Sequence, residues 1–201
     1  MTGAVGSLNP TIPGYHFGSP SVAQSPISLE DLANLEQTLG WTGEDEQRLR
    51  KHIELFRSQA ERMVDTWRAV IAAQPHLSQW FAGPDGKPDD AYKAAVKRRF
   101  VQWVVDVAAR PHDQAWLNYQ EEIGLRHTPE KKNKTDGRHT APYVPLRYLL
   151  AFLPVVTNVQ QFFDPAITDP EDRAALERSW TKALHLHITL WSRPYTREGL
   201  F

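Results

Sequence analysis

Apolar side chains recur three or four positions apart along most of this chain, and breaks rich in proline and glycine separate the stretches that hold them. Ser28-Leu-Glu-Asp31 has the form of a helix start and predicts a short helix to about Leu39, which Gly40 ends. Thr42, with Glu44 and Asp45 after it, caps the next helical region. Its stripe of Ile53, Phe56, Ala60, Met63, Trp67, Val70 and Ile71 reaches about Ala73. That run is long for one globular helix, so two consecutive helices with a bend are predicted. Pro75 to Phe81 predicts a turn or short helix, and Gly83-Pro-Asp-Gly-Lys-Pro88 a loop. Asp89 starts a helix with Tyr92, Val96, Phe100, Trp103, Val104 and Val107 on its buried side and Lys97, Arg98 and Arg99 on its others, and Pro111 ends it.

The next helix puts Trp116, Tyr119, Ile123 and His127 on one face and stops at Thr128-Pro129. After a basic loop, Leu146 to Phe163 is apolar almost all round. This predicts a helix kinked at Pro154 and buried on every side or against a partner. Thr168-Asp-Pro-Glu171 reads as a capping box for the last helix, with Leu176, Trp180, Leu184 and Trp191 inward and a short tail from Ser192. No segment alternates with period two for long enough to form a strand. The predicted class is all-α.

Residues 1–28 break the pattern. They carry Pro10, Pro13, Pro20 and Pro26 together with Gly3, Gly6, Gly14 and Gly18, which rules out a helix and predicts an irregular arm. Tyr15, His16 and Phe17 would dock part of that arm on the body; a disordered tail is the alternative. Residues 29–201 then form one domain, a length that buries roughly 70% of the unfolded surface and leaves room for a cavity.

Charge removes some function classes. With 23 basic and 24 acidic residues, the chain gives no electrostatic reason to bind nucleic acid or an anionic membrane. It has no cysteine, so disulfides, thiolate catalysis, zinc-thiolate sites and covalent haem attachment through Cys-x-x-Cys-His are excluded. The longest apolar run is far short of the ~20 residues of a spanning helix, and the N-terminus has no signal-peptide pattern. A cytoplasmic protein is expected. Seven tryptophans and eight phenylalanines suit packing around something large and flat, or an ordinary core.

His127 is the candidate for chemistry. A neutral imidazole at the end of an apolar stripe can ligate a metal, and one axial histidine under a hydrophobic pocket is what a globin-type haem needs. The same position also suits a hydrogen-bonded core histidine. His185 and His187 stand two apart on a helix and face different ways, which argues against a shared metal. Glu121 and Glu122 read as surface. Arg99, Lys131, Lys132 and Lys134 form either a solvated basic face or partners for an anionic group.

The string Gln114-Ala-Trp-Leu-Asn-Tyr-Gln-Glu-Glu-Ile-Gly-Leu-Arg-His127, followed by Lys131-Lys-Asn-Lys-Thr-Asp136, resembles the proximal region of protoglobins, single-domain relatives of the globin-coupled sensors. Ile12-Pro-Gly-Tyr15, Asp65-Thr-Trp67, Pro75-His-Leu77, Gly83-Pro-Asp-Gly86, Ala94-Ala-Val-Lys-Arg-Arg-Phe100, Arg147-Tyr-Leu149 and Ala151-Phe152 recur in family order. The resemblance runs from about residue 12 to the end. It implies a globin-like helical sandwich with an extra N-terminal arm, holding haem b non-covalently with His127 as the proximal iron ligand. Trp67 and Phe100 match the distal aromatic residues, and Phe81, Val96, Tyr119, Ile123, Leu149, Phe152 and Val156 match residues that line the haem. With haem bound, the anionic group open to Arg99, Lys131, Lys132 and Lys134 is a propionate, the solvated basic face being the alternative. The helices over 146–163 and 169–191 resemble the family's homodimer interface.

The chain departs from the family at Arg68, where members usually carry tyrosine after the distal tryptophan. Arginine is permanently charged, so Arg68 either swings towards solvent or a propionate or stays inside and favours anionic ligands. Reversible binding of O2, CO or NO is the function the resemblance implies. A haem enzyme acting on nitrite, NO or peroxide, and a gas sensor signalling through a partner, are the alternatives.

Overall fold

The computed structural model describes residues 12–196 and Phe201. Residues 1–11 of the arm and 197–200 of the tail lie outside that description. Ser28 caps the first helix, α1 (Leu29–Leu39), through a reciprocal bond with Asp31, and Gly40 ends it in the left-handed region that glycine adopts without cost. The long region after Thr42 divides as its length requires. α2 (Gly43–Lys51) stops at His52, and α3 (Ile53–Ala72) starts directly after it. α4 (Pro75–Ser78) continues into a 3-10 turn over Gln79–Phe81. Asp89 accepts from the Tyr92 N–H to cap α5 (Asp90–Ala109), and Asp113 accepts from the Trp116 N–H to cap α6 (Gln114–Leu125).

Three local expectations give way. α6 ends at Leu125, so His127 stands in the turn beyond it; its N–H still reaches the Gly124 carbonyl at 3.0 Å. The stretch from Leu146 to Phe163 is two helices, α7 (Leu146–Thr157) and the short α8 (Gln160–Phe163). Pro154 stays inside α7, and the chain breaks at Asn158. α7 is not buried on every side either: Leu150 is 49% exposed, and Arg147, Ala151 and Pro154 share its face. The last helix, α9 (Pro170–Ser192), is capped by Asp169 rather than Thr168, because Asp169 accepts from the Glu171 N–H at 2.9 Å.

α9 is the spine. It packs against α2, α6 and α7, while α3 lies along α5. Trp180 of α9 is fully buried, stacks on Phe56 at 5.2 Å and donates its indole N–H to the Val156 carbonyl at 3.0 Å. Fully burying one large side chain stabilises by about 1.5–3 kcal/mol. α2 is tied to α9 by buried Asp45, which accepts from Ser179 at 2.7 Å and Lys182 at 3.0 Å. Burial would raise the Asp45 pKa, but these donors hold it below the usual range. Glu121 and Glu122, read as surface, are both buried. Glu121 pairs with Arg193 and Glu122 with Arg126 and Lys131, so the helix face that carries them is interior and its charges are matched there.

The arm docks as Tyr15 and Phe17 suggested. The Tyr15 hydroxyl donates to Asp106 at 2.7 Å, Phe17 lies under Arg110 at 4.0 Å, and both rings meet Tyr119 edge-on at 5.3 Å. His16 points out. Gly14 sits so close to Arg99 that a Cβ there would lie 2.6 Å from its guanidinium.

Candidate functional site

Helices α5, α6, α7 and α9 leave a cavity of about 260 Å³ between them, and the α4 turn, the 127–144 loop and Tyr15 close its sides. The wall is mostly carbon. Phe81, Val96, Phe100, Tyr119, Ile123, Leu149, Phe152 and Val156 all line it, together with His127, Arg68 and Arg99. Apolar positions spaced along four different helices thus converge on one space, as the stripes on those helices require.

His127 is held from several directions. Its Nδ1 lies 2.8 Å from the Ile123 carbonyl, which fixes Nδ1 as the N–H and leaves the Nε2 lone pair free. The ring stacks on Trp191 at 5.9 Å. Its backbone carbonyl accepts from the Val144 N–H at 2.8 Å, and the Tyr195 hydroxyl spans the Val144 and His127 carbonyls. Burial pushes the imidazole pKa down to about 4, the charges of Lys132 and Arg126 add to that, and the Ile123 bond opposes it. At neutral pH His127 is therefore a neutral, oriented donor of one lone pair.

Positive charge gathers where the loop meets α5 and α6. Arg99 forms a bidentate pair with Asp136 at 2.7–2.8 Å, and its other contact is the Pro13 carbonyl of the arm. Lys132 is buried, and among the described residues its protons go only to oxygens of Trp80, Thr140 and Ala141, at 2.6–2.8 Å. Burial without a carboxylate lowers its pKa to about 8. Arg126 is engaged with Glu122 through Nε, while its Nη2 is buried with no hydrogen-bond partner among the described residues. Tyr92, with Lys132 5.0 Å above its ring, has its pKa pushed up to about 12 by burial, to which Asp136 adds.

The protoglobin family model matches residues 28–200. The chain belongs to the protoglobin family. Among solved structures, the globin domain of the Geobacter sulfurreducens globin-coupled sensor is similar, with a TM-score of 0.66 and 17% identity over 83% of this chain and 98% of that one. That likeness establishes the globin-like all-α fold. A search of curated protein sequences finds no match.

Against the protoglobin pattern, the sequence-derived site is nearly all brought together, with one exception. Trp67 does not line the cavity. It is 1% exposed and packs behind Phe100 at 5.5 Å and beside Trp180 at 6.4 Å, as part of the core. Arg99 is no free propionate partner, since Asp136 occupies its fork; Lys132 is no solvated surface lysine. Arg68 lines the cavity with its side chain 27% exposed. Among the described residues, the Lys93 carbonyl at 3.4 Å and Asp65 at 3.8 Å hold it. From sequence, His187 entered only as a residue unsuited to share a metal with His185; it is 2% exposed and lines the cavity. It stands three residues after Leu184 and four before Trp191, so the inward stripe of α9 already included it. Tyr15, Asp136 and Tyr148 also line the cavity; of these, only the docking of Tyr15 had a sequence signal.

Among the described residues no helix is long and apolar enough to cross a membrane. No group of three or more His, Cys, Asp or Glu side chains is placed to hold a metal ion there.

Proposed function

We propose that the cavity binds haem b non-covalently through His127 Nε2 and that the protein takes up diatomic gases at the iron. The observation behind this reading is the His127 imidazole, kept neutral by burial, oriented by the Ile123 carbonyl and delivered to an apolar cavity. The lining fits the group in two further ways. Aromatic and aliphatic walls suit a porphyrin face, and Arg126 at the cavity lining, its Nη2 without a partner among the described residues, suits a carboxylate at one edge. With no cysteine in the chain, a thioether link to the haem is excluded.

Iron in bound haem supplies an open coordination position for O2, CO or NO, and the protein decides what reaches it. Phe100, Val96, Leu149 and Phe152 exclude water from the cavity, and the docked Tyr15 closes one side. Tyr195 and Trp191 keep His127 from turning away. A second reading, an enzyme acting on nitrite, NO or peroxide, is favoured by Arg68. Its guanidinium is loosely held at the cavity wall and can meet an anionic ligand. The apolar face of α7 around Leu150 supports a homodimer. α9 offers it little, because only Pro170, Glu171, Arg178 and His185 are exposed along that helix.

The test is optical. Hemin added to the purified protein should give a sharp Soret band that shifts on reduction and CO addition. His127→Ala should lose the haem, or give a spectrum that exogenous imidazole restores. A wild-type spectrum in that variant would refute the ligand assignment.

A further inference from the structure

We propose that a continuous series of aromatic contacts, part stacked and part edge-on, drains oxidising equivalents from the cavity to the protein surface at Trp41. The inference rests on the haem reading above. Starting from His127, the next ring is Trp191, stacked at 5.9 Å and 23°. Trp191 meets His187 at 5.6 Å, and His187 meets Trp116 at 5.4 Å. Trp116 stacks on His112 at 4.1 Å, and His112 stacks on Trp41 at 5.0 Å. The rings come from α6 and the turn after it, α9, the α1–α2 connection and the α5–α6 connection, so no local repeat produces the series. Only the packing does.

Indole is among the side chains most easily oxidised by one electron, and electron tunnelling weakens steeply with the gap between rings. Trp191, Trp116 and Trp41 are therefore the stations, and His187 and His112 are the bridges between them. His187 suits a bridge because it stays uncharged. Its Nδ1 accepts the Trp103 indole N–H at 2.9 Å, and burial keeps the ring from taking a second proton. A positive imidazolium there would repel an arriving hole. At the outer end the Glu36 carboxyl is hydrogen-bonded to His112 Nδ1, between Trp116 and Trp41, so a proton on that ring is matched by a carboxylate. Trp116 is buried, whereas Trp41 keeps part of its surface in solvent, where its indole proton can leave.

Hydrogen peroxide is the oxidant class that closes the balance. Its O–O bond breaks as it takes up two electrons and two protons, giving two waters. Two indole N–H groups each lose one electron and one proton and become neutral indolyl radicals. The series brings such a radical to Trp41, away from the cavity lining. Trp80, which lines the cavity and is also partly exposed, is the competing sink.

The experiment treats the hemin-loaded full chain with a small molar excess of hydrogen peroxide. Oxidised tryptophans are mapped by peptide mass spectrometry, and the radical is followed by electron paramagnetic resonance. Trp41 should be the most oxidised indole. Trp191→Phe and Trp116→Phe should each lower its oxidation severalfold, while Trp180→Phe, a core change outside the series, leaves it unaltered. Trp41→Phe, at a part-exposed position that keeps a ring, should hasten haem bleaching. Equal Trp41 oxidation in Trp191→Phe, or damage at Trp80 with Trp41 spared, would overturn the proposal while a normal Soret band still stands. Failure to form a Soret band at all would overturn the haem reading, and the conduit with it.

Discussion

Acid should unfold this protein earlier than its carboxylates alone would, and His187 is a large part of the reason. The side chain is 2% exposed, its Nδ1 is committed to the Trp103 indole, and its Nε2 is buried with no partner among the described residues. Charging it in place would put an unpaired cation among tryptophans. Burial, reinforced by the nearby His112, pushes its pKa down to about 3 from the ordinary value near 6.5. With the folded pKa depressed, the unfolded chain binds more protons below pH 6.5, so stability falls as pH drops from there towards 3. At pH 5 the unfolded histidine is almost fully charged and the folded one is not, a difference worth about 2 kcal/mol. The assay is urea unfolding of protein without hemin at pH 7 and pH 5, so that ligand binding adds no linkage of its own. His187→Gln keeps an acceptor for Trp103 but cannot titrate. The stability lost between the two pH values should shrink by about 2 kcal/mol in the variant. Asp106, whose pKa burial raises, contributes with the opposite sign but equally in both proteins. An identical pH dependence in wild type and His187→Gln would refute the argument.

Arg68→Leu should weaken cyanide or nitrite binding to the hemin-loaded protein about tenfold, or ~1.4 kcal/mol; equal affinities would place the guanidinium outside the ligand's reach. Gly124→Ala should destabilise by about 1–3 kcal/mol, because the new Cβ would meet Pro194 at 3.0 Å and the Trp191 backbone at 3.2 Å. That clash pushes the end of α9 off α6, so hemin should also bind more weakly, as titration would show. Tyr15→Phe removes the donor to Asp106 and should cost about 1–3 kcal/mol. Urea unfolding measures that cost, and faster proteolysis of the arm should accompany it.

Much of this was legible in the chain itself. The all-α class, the break of the long region into α2 and α3, the caps at Ser28 and Asp89, the loop at 83–88 and the inward aspect of His127 depend on residues within a few positions of one another. Periodicity and capping are local physics, so one sequence suffices for them. The same physics says which side chains face inward but not what they meet there. Trp67 and Phe100 are equally inward, yet one fills the core and the other faces the cavity, because only the latter lies where α5, α6, α7 and α9 fail to close. Charge shows the limit again. Glu121, Asp136 and Lys132 look like surface residues until the fold brings Arg193, Arg99 and the Trp80 carbonyl to them. The partner of Glu121 lies 72 positions along the chain, and that of Arg99 lies 37. The sequence by itself determined the helices, their buried faces and a histidine turned inward. Only the tertiary structure decided cavity against core, which charges are matched, and which aromatic rings touch, because each depends on atoms distant in sequence sharing one small volume.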